Sequence, residues 1–209
     1  MGWLFASRLS SIYPSNPLLN PTLLAVTILV VILRVSGIDY ATYFSGGQLI
    51  HFLLGPATVA LGIPLTENLA LVRRNLLPIG CALLAGCAAA VSSTIWIGEL
   101  LGLPHGLIAS LAPKSATAPV AMAVSAGTGG DAGLTATFVV LTGMCGAILA
   151  RPIVRAMRSK DASGFAIGLA SHGIGTARAY SIDPIVGVFS GIAMALNAIL
   201  TPLIVKLLT

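Results

Sequence analysis

The chain has 209 residues, of which 56% are apolar and 8% charged, with eleven Lys and Arg against six acids and a net charge of +5. A soluble domain averages about 25% charged residues, and a mean hydropathy of +0.99 leaves too little polar surface to cover a globule of this size. A cytosolic enzyme, a disordered tail and a nucleic-acid binder are excluded, the last because so few cations cannot form the stripe that phosphate contacts need.

The chain reads instead as an all-α polytopic integral membrane protein, and the gaps between charges mark its spans. Residues 9–33 are uncharged, and 18–37 predict a transmembrane helix. Residues 1–8 carry one charge, Arg8, and no small-residue cleavage pattern, so the first apolar run is a span and not a signal peptide. Residues 1–15 form a short N-terminal segment, and 16–209 a single transmembrane domain. Residues 40–66 are uncharged and interrupted at Gly55-Pro56; 75–98, 132–150 and 184–205 are further uncharged runs. Each can cross a core of about 30 Å at 1.5 Å per residue. About five full spans follow from this count.

Three more uncharged stretches, 100–113, 115–130 and 162–177, are shorter and punctuated by Pro104, Pro113 and Pro119, then by Gly164, Gly168, Gly173 and Gly175. They predict broken or re-entrant half-helices, which membranes tolerate where unwound backbone lines a cavity. Arg73 and Arg74 mark one cytoplasmic loop, and Arg151, Arg155, Arg158 and Lys160 another. Residues 100–130 then begin and end on the outer side. A re-entrant pair with its tip near 113–117 satisfies that count; two short tilted spans are the alternative. A partial internal repeat aligns FVVLTGMCGAIL at 138–149 with FSGIAMALNAIL at 189–200. Cys81, Cys87 and Cys145 lie in apolar runs without metal-ligand spacing and read as packing residues.

Two constellations carry chemistry. In LAPKSATAPVAM, 111–122, Pro113 and Pro119 open the backbone beside Lys114, Ser115 and Thr117. A lysine inside the bilayer is costly and points to a site, unless it snorkels to an interface. In SHGIGTARA, 171–179, Gly173 and Gly175 let backbone approach a ligand, while His172, Thr176 and Arg178 supply polar groups. Arg178 could alternatively pair with Asp183. Together the two segments predict a net-positive site for a small anion, with Lys114 and Arg178 converging on it. No metal site, cofactor or enzyme motif is expected.

Those two strings, with HFLLGPATVALGIPL at 51–65 and LTATFVVLTGMCGA at 134–147, closely resemble the LrgB/CidB family over residues 16–208. The resemblance implies an antiholin-like or holin-like protein of a bacterial inner membrane, acting with a small LrgA/CidA-type membrane partner. It equally implies a carrier for small monocarboxylates of the glycolate, glycerate or pyruvate type. It also implies a further helix before 18–37, for which residues 1–15 are too short. The expectation carried forward is a carrier, with lysis regulation as the alternative. A homodimer is expected through the small residues of 75–98, which let helices approach closely.

Overall fold

The computed structural model describes residues 2–12, 21–53, 56 and 63–209, and every regular element within them is helical. The chain divides into two compact units, Met1–Gly55 and Pro56–Thr209.

The first unit contains α1 (Gly2–Ile12), α2 (Pro21–Ser36) and α3 (Tyr40–Phe52), with α1 packed on α2. Helix α2, 16 residues long, falls within the span expected at 18–37, of which residues 18–20 lie outside the described residues. It opens on proline, whose fixed φ suits a first helical turn, and stops at Gly37, φ 68°, a conformation glycine adopts without penalty. Asp39 starts α3 by accepting from the Ala41 amide at 2.7 Å. Residues 13–15, and the break expected at Gly55, lie outside the described residues.

The second unit comprises α4 (Ile63–Glu67), α5 (Leu69–Arg74), α6 (Leu76–Leu100), α7 (His105–Leu111), α8 (Ala118–Gly127), α9 (Ala132–Met157), α10 (Lys160–Ile182) and α11 (Pro184–Leu208). Helices α6, α9 and α11 are each long and apolar enough to cross a membrane. They correspond to the uncharged runs 75–98, 132–150 and 184–205. Short polar caps begin two of them. Asp131 accepts from the Leu134 amide at 2.7 Å and Asp183 from the Ile185 amide at 2.9 Å.

Helices α7 and α8 form the first hairpin. The chain unwinds over residues 112–117, between the two prolines that bar continuous helix. The limbs enter and leave at the same end. A Cβ on Gly106 would lie 3.3 Å from the Gly129 carbonyl, and Ser110 Oγ accepts from the Asp131 amide at 2.8 Å. The expected hairpin with its tip near 113–117 is thus present, and its limbs of 7 and 10 residues are shorter than the roughly 20 residues a full span needs.

Helix α10 is a second hairpin, broken without proline. Ser171 (φ −130°, ψ 18°) and His172 (φ 40°, ψ −138°) leave helical geometry and separate limbs 160–170 and 173–182. The ends of α10 meet: Lys160 Nζ donates to Asp183 Oδ2 at 2.5 Å, whereas a straight helix would hold them roughly 34 Å apart. The first limb runs parallel to α11, since Gly164 faces Val186 and Gly168 faces Ser190. The second runs back along it, with Thr176 on Ser190 and Tyr180 against Gly187.

The two hairpins enter from opposite ends of the unit. Asn75, Met157 and Asp161 line one cavity at the arginine-rich end, where the second hairpin begins; the first begins beside Asp131. Each hairpin is followed by a spanning helix, α9 and α11, and these run oppositely. Ala150 and Val186 pack together near the base of the second hairpin, while Val139 and Asn197 both bond to its tip. From base to tip, numbering falls in α9 and rises in α11. The partial repeat between 138–149 and 189–200 is thus an inverted one, the architecture of many secondary carriers.

Candidate functional site

The hairpin tips meet in the middle of the second unit. Val139 packs with Ala116 and Ala121 of the first hairpin, and its carbonyl lies 2.8 Å from His172 Nε2 of the second. A carbonyl only accepts, so Nε2 carries a proton, and Nδ1 is the acceptor of the neutral ring. Gly143 and Gly146 of α9 make room for this tip. A Cβ on Gly143 would lie 2.7 Å from His172 Cε1, and one on Gly146 would overlap Ser171. Thr176 Oγ1 donates to the His172 carbonyl at 2.7 Å and lies 2.9 Å from Ser190 Oγ. Gly175 is packed against Ser171, whose Oγ donates to the Ile167 carbonyl at 2.6 Å; its small size serves the turn. Gly173 stays open, since a Cβ there would meet only Met194 Sδ, at 3.9 Å.

Helix polarity gives the meeting point two kinds of surface. The carbonyl ends are capped by one side chain: Asn197 Nδ2 donates to the Ser115 and Leu169 carbonyls, each at 3.1 Å. The amide ends are the N-terminus of α8 and the start of limb 173–182, and a helix N-terminus carries positive partial charge. Thr117 is the N-cap of α8 but makes no side-chain capping bond. Its Oγ1 is buried and has no partner among the described residues, with the residue 6% exposed. An apolar cavity of about 460 Å³ leads from Asn75 and Asp161 past Phe165 to Gly86 and Leu169, just below the tip of the second hairpin.

A family model, the LrgB-like family, matches residues 1–209. Similar proteins include the Holin-like protein CidB of Staphylococcus aureus (strain N315), 35% identical over 206 residues, 98% of this chain and 90% of the relative. Another is YwbG of Bacillus subtilis (strain 168), described as uncharacterized, at 36% over 184 residues, 87% of this chain and 82% of the relative.

The chain belongs to the LrgB-like family.

A Holin-like protein CidB of Staphylococcus epidermidis (strain ATCC 12228) is 34% identical over 196 residues, 93% of the chain and 86% of the relative. No solved structure matches.

In this LrgB-like chain the expected site residues divide into two groups. Ser115, Thr117, His172, Gly173, Gly175 and Thr176 lie at or beside the two tips. Lys114 and Arg178 point elsewhere. Lys114 is half-buried and its Nζ donates to Thr94 Oγ1 of α6. Arg178 Nη1 lies 3.4 Å from Ser181 Oγ. Helix α11 supplies a ruler: Ala179 packs with Val186, and Val91, one turn before Thr94, packs with Val205. Those levels differ by about 28 Å at 1.5 Å per residue, so the expected convergence of Lys114 and Arg178 is not what the structure contains. The cause is the position of the break. It falls at 171–172, and the second limb carries Arg178 back to the arginine-rich end. Asp183, the alternative partner for Arg178, pairs with Lys160. The sequence reading missed Asn197, although a lone amide in the uncharged run 184–205 is a signal in itself.

Proposed function

We propose that this LrgB-like chain is a membrane carrier for small organic anions, held where the two hairpins meet. What supports this reading is that the two hairpin tips meet through Val139 and Asn197, with the buried Thr117 hydroxyl and the N-terminus of α8 at one tip and His172 and the start of limb 173–182 at the other. Paired half-helix N-termini suit a carboxylate, and the Thr117 and Thr176 hydroxyls suit a small polar neighbour group. The substrate class is a monocarboxylate of the glycolate, glycerate or pyruvate type. Lys114 and Arg178, near opposite ends, act as attracting charges on the approaches rather than as joint ligands. The chain does no covalent chemistry, works in a bacterial inner membrane, and pairs with a second copy through small exposed residues of α6 such as Ala85, Ala89 and Ser93.

A second reading rests on the relatives' names. Several are holin-like proteins, which supports a regulator of murein hydrolase activity and lysis acting with an LrgA/CidA-type partner. Uptake of labelled glycolate, glycerate and pyruvate into proteoliposomes separates the two. Saturable uptake supports the carrier. No uptake, with partner-dependent lysis when both proteins are expressed, supports the regulator.

A further inference from the structure

Asn197 is 1% exposed and uses its whole amide. The two Nδ2 hydrogens go to two carbonyls, Ser115 in the unwound turn of the first hairpin and Leu169 at the tip of the second, each at 3.1 Å. Oδ1 accepts from Thr201 Oγ1 at 3.1 Å, and Cys87 Sγ of α6 lies 3.5 Å from the Thr201 hydroxyl. This sets the amide's orientation. A flipped amide would press Oδ1 against two carbonyl oxygens, which offer no hydrogen. Ser115 and Leu169 belong to hairpins that enter from opposite ends, and one side chain on a third element holds both.

We propose that Asn197 is a positioning residue that ties the two hairpin tips to each other through α11, so that they hold a single arrangement and leave it together. Ser115 lies in the unwound turn and Leu169 two residues before the break at Ser171–His172, and buried polar groups need partners. Freed together, they would let each tip move without the other. For a carrier this means that the anion-facing surface, built from both tips, keeps its geometry only while the tie is intact. That consequence rests on the carrier reading; the tie itself does not.

The test is hydrogen–deuterium exchange on the full chain in lipid nanodiscs, run beside proteoliposome uptake with glycolate as the probe. Asn197→Asp keeps the shape but removes both donors when ionised and retains one when protonated. Thr201→Val keeps the donors and releases only the amide's orientation, and serves if the first variant folds poorly. The expected result is faster exchange in both 112–117 and 169–174, by about tenfold or more for Asn197→Asp, the change that losing one buried hydrogen bond brings. Thr201→Val should give the same pattern more weakly, with α6 and α9 unchanged in both variants. Uptake should show a raised KM with a smaller change in maximal rate. Acceleration in one tip alone, in neither, or evenly through the whole unit would overturn the tie. Coupled loosening of both tips in a protein that moves no glycolate would support the tie and count against the carrier reading.

Discussion

His172 shows how a single residue can be held against its own backbone preference. Its φ of 40° is unfavourable for any side chain, a strain of about 1–3 kcal/mol. The surroundings hold it there through Val139 on the ring and Thr176 on the carbonyl. Both His172→Gly and His172→Ala lose the ring bond, but only glycine relaxes the backbone. His172→Gly should therefore be the more stable of the two by about 1 kcal/mol, measured by thermal unfolding in detergent. Equal stabilities would mean the turn carries no strain. Chemistry at this scale was partly legible in the sequence. Pro113 and Pro119 marked the opening around Ser115 and Thr117, and the glycines around His172 marked the second. Side-chain direction was not legible. Lys114 turns to Thr94, and nothing in the local string at 111–122 announces a hydroxyl twenty residues away.

At the scale of elements, the second hairpin depends on close contact with α11. Gly168 lies so near the Ser190 carbonyl that a Cβ there would overlap it. Gly168→Ala should cost about 1–3 kcal/mol, as overpacking does. Gly80→Ala in α6, where a Cβ meets nothing within 4 Å, should be neutral or stabilising by up to about 1 kcal/mol. The base of the hairpin is closed by Lys160, whose bond to Asp183 holds that carboxyl below its ordinary value, with the Ile185 amide helping. A lowered carboxyl contributes stability above its unfolded value and loses it as pH falls through the folded one. Melting temperature should thus be level near neutrality and drop below about pH 4. Asp183→Asn should start lower and lack that share of the drop. An identical pH profile in the variant would rule out the clasp. The broken nature of 162–177 could be read from its glycines. Its fold-back could not, because the chain reverses at Ser171–His172 with no proline, and a kinked full span would have the same composition.

Over the whole molecule, the charge gaps located the three long helices and the first hairpin. The direction of the repeat needed the contacts of Val139, Ala150, Val186 and Asn197. A re-entrant α10 has a topological consequence. In a background with Cys81, Cys87 and Cys145 replaced, Ser159→Cys and Asp183→Cys should label from the same side of the membrane, and Asp131→Cys from the other. Labelling of 159 and 183 from opposite sides would make α10 a span and end the inverted-repeat description. The central claim is that a small anion binds between the hairpin tips, and the Thr117 hydroxyl, buried and uncapped at the start of α8, tests it most directly. The measurement is the concentration dependence of labelled glycolate, glycerate and pyruvate uptake by proteoliposomes holding the wild-type chain or Thr117→Val. Saturable wild-type uptake of at least one of them is expected, with a KM about tenfold higher for that substrate in the variant, the effect of one lost hydrogen bond. Uptake no greater than in empty liposomes, or identical saturation curves for the two proteins, would contradict the claim.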